Sequence, residues 1–178
     1  MSKGFSADSF MKNGLPLGGA RANLFKITFA VPGGDIDVNG SATIEELKFR
    51  AKGTTVPSST IEAVEVPYGG RNYRFAGSRT YEDWTCTITI DADQKEKDFF
   101  EKWNHGINNR EDGTGAATGY WADIQIEMLD SSGDTKRTYI LHDAWPHTVG
   151  ELTLDWAETG TILETEITWA YSYWDVKA

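Results

Sequence analysis

AGSRTYEDWTCTITIDADQKEKDFFEKWNHGIN, residues Ala76–Asn108, changes its hydrophobic period once, and that change decides the fold. In the first half Trp84, Cys86, Ile88 and Ile90 share one face while Thr85, Thr87 and Thr89 share the other, the two-residue period of a half-buried strand. From Asp93 onward Phe99, Phe100, Trp103 and Ile107 form the stripe of an amphipathic helix, with Lys95, Lys97, Asp98, Glu101 and Lys102 mostly off it. The predicted helix spans about Asp93–His105. Asp93 is expected to cap its start, Glu96 to close a capping box and Gly106 to end it. One helix therefore covers a β-rich body.

The flanking sequence supplies that body. Phe25, Ile27, Phe29 and Val31 alternate with Lys26, Thr28 and Ala30 until Pro32-Gly33-Gly34 ends the run. A second strand is expected over Glu46–Ala51 and a third over Ile61–Val66. The turn-rich Gly53–Thr60 between them would be the protruding tip of a long hairpin. Beyond the helix, Ile124, Ile126 and Met128 mark a strand joined through Ser131-Ser132-Gly133-Asp134 to another over Thr135–Leu141. A last hairpin is expected to pair the strand carrying Leu152, Leu154 and Trp156 with the one carrying Leu163, Ile167, Trp169, Tyr171 and Tyr173. Its polar face would hold Asp155, Glu164, Glu166 and Thr168.

The 178 residues suffice for one domain with a full core. With 17 basic and 27 acidic residues the net charge is −10, the wrong sign for gripping nucleic acid through its phosphates. No apolar run approaches the roughly 20 residues of a spanning helix, and the start MSKGFSADSFMKNG lacks the apolar centre of a secretory signal. The single cysteine, Cys86, falls on an apolar strand face and reads as a buried thiol. Met1–Ala20 reads as an arm that orders against a partner.

The three histidines and the glycine-rich stretches are where chemistry would show. His105 ends the helix, and His142 and His147 flank a Trp145-Pro146 turn, so no pair has the i, i+4 placement of helical zinc ligands. His142-Asp143 has no Ser or Cys in a nucleophile context, and neither a P-loop nor a GxGxxG joins a strand to a helix. No catalytic residue, metal ligand or cofactor site is expected. Arg71, Arg74 and Arg79 form the one basic cluster, interleaved with Tyr68, Tyr73 and Phe75, and read as adhesive ion-pairing residues. Tyr120, Trp121 and Trp145 are the candidates for an exposed sugar-stacking platform, the mark of a carbohydrate-binding module.

Val66-Pro67-Tyr68-Gly69-Gly70-Arg71, then Ala76 through Thr85, then Trp103-Asn104-His105-Gly106-Ile107-Asn108, followed by Thr138-Tyr139, Ala144-Trp145-Pro146 and Thr168 through Trp174, occur in an order and spacing that resembles the tail tube proteins of contractile-tailed bacteriophages. The resemblance covers about Arg21 to Trp174, which sets a single domain over 21–174 with an arm at 1–20 and a short tail at 175–178. The chain departs from the family pattern in that arm and in Gly33–Gly40. The resemblance implies a mainly β fold, a β-sandwich or barrel of two antiparallel sheets with one flanking α-helix. It also implies hexameric rings stacked into a hollow virion tube, built in the host cytoplasm, inside a contractile sheath between baseplate and tail terminator, with DNA as transient, non-specific cargo and no membrane partner. Tubes of contractile bacteriocins and type VI secretion systems share that architecture.

Within such a tube Glu62, Asp155, Glu164 and Glu166 are expected to face the lumen, where carboxylates repel phosphates. Arg71, Arg74, Arg79 and Glu82, with Thr54, Val56 and Ser58, are expected at contacts between subunits.

Overall fold

Thr43 starts a helix where the alternation around Glu46–Ala51 predicts a strand. In the computed structural model, which describes residues 12, 19–34 and 36–177, the Thr43 side chain accepts the Glu46 N–H at 3.3 Å while the Glu46 carboxylate accepts the Thr43 N–H at 2.7 Å, a full capping box. The described elements are β1 (Phe25–Thr28), α1 (Ile44–Arg50), β2 (Ala51–Thr54), β3 (Ser59–Tyr68), β4 (Arg71–Tyr81), β5 (Trp84–Thr89), α2 (Lys95–Ile107), β6 (Ala122–Leu129), β7 (Thr135–Val149), β8 (Glu164–Ala170) and β9 (Tyr173–Lys177). The arm read at Met1–Ala20 lies, apart from Lys12, Gly19 and Ala20, outside the described residues. Strand pairing continues past Trp174, because β9 runs to Lys177 beside β7. No helix among the described residues is long and apolar enough to cross a membrane.

Two antiparallel sheets share β7. One runs β1-β6-β7-β9 and the other β2-β5-β8-β7, with β9 and β8 taking successive stretches along β7. The expected Ala144-Trp145-Pro146 turn is instead a bend within β7. Asp143, at φ 56°, forms a bulge, so Tyr139 and Leu141 are buried before it and Ala144 and Pro146 after it. That phase change lets one strand serve two sheets. A separate two-stranded sheet pairs β3 with β4.

The core lies between the sheets and α2. Trp84 stands opposite Trp169 across the β5–β8 pair. From α2, Phe100 and Trp103 meet Trp169 edge-on at 5.8 and 5.4 Å, and Phe29 stacks on it at 5.7 Å. Each such buried ring contributes on the order of 1.5–3 kcal/mol of apolar transfer free energy. The predicted strand face of Trp84, Cys86, Ile88 and Ile90 and the predicted helix stripe are both buried as read, except that Ile107 is only partly covered.

The ends of α2 differ from expectation. Gln94, not Asp93, precedes the helix with φ 54°, a left-handed conformation from which no capping box forms, and Asp93 instead pairs with Lys95 at 3.1 Å. Gly106 lies inside the helix, where an added Cβ would come within 2.9 Å of Ile36. It is there for close approach, not for termination.

Two expected hairpins are also corrected. β2 pairs with β5, and β3 pairs with β4 around Gly69-Gly70, both at positive φ, so the hairpin tip is Tyr68–Arg71 and not Gly53–Thr60. Gly53–Thr60 is tied down: the Trp84 indole donates to Thr55 O at 2.7 Å, Pro57 is buried, and the Trp174 indole donates to Ser58 O at 3.2 Å. The strand expected over Glu151–Trp156 is an irregular loop, Gly150–Leu163, in which Trp156 is fully exposed rather than part of the core. The last strand breaks at Tyr171-Ser172 into β8 and β9.

Candidate assembly surfaces

The β3–β4 hairpin carries an apolar face that is exposed and has no cover among the described residues. Register places Val64 opposite Phe75, Val66 opposite Tyr73 and Tyr68 opposite Arg71, so these six side chains share one face, and all of them are exposed. A lone two-stranded ribbon is marginal in water, and both of its outer edges offer unpaired backbone groups. A β-bulge separates the pairs Ile61–Arg79 and Ala63–Ala76, and Gly77 beside it would place a Cβ 2.8 Å from Val64. At the hairpin base Tyr81 packs against Tyr171 at 6.1 Å, where burial first and the Asp83 charge second push the Tyr171 phenol above its ordinary pKa.

The predicted contact residues divide between two places. Arg71, Arg74 and Arg79 all lie on β4; Arg74 pairs with Glu65 across the hairpin at 2.8 Å, whereas Arg71 and Arg79 make no ion pair among the described residues. Glu82 is exposed in the step between β4 and β5. Thr54, Val56 and Ser58 belong to the anchored segment. Thr54 donates to Thr85 O at 3.2 Å, and only Val56 of the three presents an exposed apolar side chain.

The predicted lumen residues are likewise not all brought together. Glu164 and Glu166 stand opposite Thr89 and Thr87 on the face of the β5–β8 pair that points away from the core, beside Thr85 and Thr168. Lys52 of β2 pairs with Glu164 on that face. This is an extended carboxylate and hydroxyl surface, and α2 packs on the other side. Asp155 lines a recess next to Glu164, while Glu62 is on the hairpin.

That recess is a feature the alternation of Leu152, Leu154 and Trp156 concealed. Its walls include Leu154, Trp156, Ile162 and Leu163 together with Asp155 and Glu158, bordering an open volume of about 860 Å³. Three of these apolar side chains, Leu154, Trp156 and Ile162, are exposed, and no basic residue occurs between Gly150 and Leu163. An exposed Trp between acidic residues in irregular chain is the signal that a strand assignment discards.

His142, Cys86 and the ring cluster of Tyr120, Trp121 and Trp145 are held in structural contacts. His142 lies 3.2 Å from Asp123 and 3.6 Å from Asp175, joining β6, β7 and β9, and Asp143 is its neighbour in the bulge rather than its partner. Tyr120 meets Trp121 at 4.6 Å with rings tilted 43° and Trp145 at 6.1 Å edge-on, so the three rings pack on one another and present no flat sugar platform. The Tyr120 carbonyl also accepts the Trp103 indole at 2.9 Å, which fixes the cluster to α2. Cys86 is buried, and desolvation pushes its thiol up to about 12.

Residues 20–177 match the family model described as phage tail tube protein. The chain is 30% identical over 161 residues to tail tube protein gp19 of Enterobacteria phage T6 and 28% identical over 159 residues to that of phage T4, in each case covering 88% of this chain and 91% of the relative. Among solved structures it is similar to a chain of the sheath/tube terminator of an extracellular contractile injection system, PVC, in the extended state, with TM-score 0.67, 15% identity, and 90% of this chain and 97% of the other covered. A chain of the PVC sheath-tube complex gives TM-score 0.62 at 15% identity, over 98% of this chain and 99% of the other. These likenesses establish a shared fold.

Proposed function

Because the chain belongs to the phage tail tube protein family, we propose that it is the structural subunit of the hollow tail tube of a contractile-tailed phage, six copies closing a ring and rings stacking along one axis. The observation that carries this reading is the β3–β4 hairpin, whose aromatic face and two strand edges are left uncovered by the described residues and offer another chain a surface to pair with. A heterologous contact repeated by rotation closes a ring, and a second contact repeated along the axis gives an open stack. A contractile sheath outside, a baseplate at one end and a terminator at the other complete the assembly. The protein is a component of the virion tail, assembled in the host cytoplasm.

Arg71, Arg79 and Glu82 lie on or beside this hairpin, and we assign them to contacts between subunits, with Val56 near its base. The polar face of β5 and β8 is assigned to the lumen. Six chains bring about −60 of formal charge to each ring, six times the −10 of one chain, so a lumen lined by Glu164 and Glu166 repels the phosphates of passing DNA rather than binding them. The genome is a transient, non-specific cargo, no membrane contact is needed, and the role is structural rather than catalytic. A bacteriocin or secretion tube is the second reading, favoured by the fold shared with an injection-system tube; the sequence relatives are phage proteins and favour the first.

Sedimentation velocity of the purified 178-residue chain tests this. Hexamers and larger species whose share grows with concentration are expected; a single species with the mass of one chain at every concentration would contradict it.

A further inference from the structure

The hairpin and the Gly150–Leu163 loop leave the same strand pair at opposite ends. β5 pairs with β8 from Trp84 opposite Trp169 to Thr89 opposite Glu164. The hairpin enters β5 at its Trp84 end, whereas the loop enters β8 at Glu164, where Leu163 O accepts the Ile90 N–H at 2.9 Å. Hairpin base and loop are thus separated by the length of the strand pair, about 17–20 Å for strands of this size, and the apolar surfaces they carry are both exposed. They do not cover each other within one chain, but head-to-tail neighbours would bring them together.

Their chemistry is complementary. The hairpin tip presents Tyr68 and Arg71 beside the aromatic face, and Arg71 makes no ion pair among the described residues. The loop presents Trp156, Leu154 and Ile162 around a recess edged by Asp155 and Glu158, and neither of these carboxylates makes an ion pair among the described residues. One surface is cationic and aromatic, the other anionic and apolar. Such pairing supplies both apolar burial and register.

We propose that the Tyr68–Arg71 tip of one copy seats in the acidic, apolar recess of the Gly150–Leu163 loop of a neighbouring copy. The inference rests on the tube reading and names the partner of the hairpin within it. Because tip and recess are different surfaces, the contact is heterologous and directional: each copy offers one tip and one recess to its neighbours.

Charge exchange and cross-linking test the pairing. Arg71→Glu alone, or Asp155→Arg with Glu158→Arg alone, is expected to lower the assembled fraction by roughly tenfold, and combining all three to restore most of it. Tyr68→Cys and Trp156→Cys placed in one chain are expected to give disulfide-linked ladders of many copies under mild oxidation, with either single variant giving dimers at most, since Cys86 is buried. Circular dichroism identical to that of the unaltered chain establishes that the charge variants fold. Tubes that form normally in the loop variant, or a combined variant that stays unassembled, would overturn the pairing and leave the tube reading standing. Failure of the unaltered chain to assemble at all would overturn both.

Discussion

Glu96, in the first turn of α2 and without solvent exposure, holds an ion pair with Arg50 in the last turn of α1. Its other oxygen accepts the Asp91 N–H at 3.0 Å, and the Asp91 carboxylate holds Arg50 a second time at 2.8 Å. A buried carboxylate is tolerable only while its counter-charge is in place. Arg50→Met is therefore expected to lower stability by about 3 kcal/mol, the low end for breaking a buried pair because the Arg50 side chain is 24% exposed. Glu96→Gln added to it should recover part of that loss, since a neutral amide replaces the stranded charge. Urea unfolding of a variant kept monomeric would read both; a loss below about 1 kcal/mol for Arg50→Met would show that water solvates Glu96.

Gly150 closes the end of the β7–β8 pair. Its N–H donates to Glu166 O at 2.8 Å, and a Cβ there would come within 2.5 Å of that same oxygen. Gly150→Ala must displace backbone and is expected to cost about 1–3 kcal/mol. Gly53→Ala is the control, because its Cβ meets Thr87 only at 4.0 Å, and thermal melts should find it within about 1 kcal/mol of the unaltered chain.

Cys86 should be inert while the protein is folded. Its thiol is buried and pushed up to about 12, so almost no thiolate exists at pH 8 and no reagent reaches it. Labelling with a maleimide should be slow in buffer and complete within minutes in concentrated urea. Rapid labelling of the native protein would place the β5–β8 face nearer to solvent than described.

The lumen assignment predicts an effect on transport rather than on assembly. Glu164→Lys with Glu166→Lys exchanges carboxylates for cations on the polar face of β8, where Glu166 is exposed and Glu164 already meets Lys52. Tubes should form, and DNA ejection from virions carrying the variant should slow, because phosphates are then retained. Ejection at the ordinary rate would move these residues to the outer wall.

Most of the core was legible because burial and period agree there: Trp84, Cys86 and Ile88 alternate, Phe99, Phe100 and Trp103 follow a helix stripe, and all six are buried. The helix α1 was missed although its capping box, Thr43 to Glu46, stands in the sequence, because Glu46–Ala51 is too short for a helical period to outweigh strand alternation. The acidic, apolar loop was misread for a different reason. Leu152, Leu154 and Trp156 alternate as a strand would, but no described residue covers Leu154 or Trp156, and both are exposed. Strand partners were the other loss, since register between distant segments depends on turns such as Gly69-Gly70 and bulges such as Asp143 that local pattern does not rank.

Electron microscopy of the purified protein, with cross-sections averaged end-on, tests the central claim most directly. Six-fold rings stacked into hollow tubes are predicted. Isolated particles of single-chain size, at concentrations well above those in an infected cell, would contradict it.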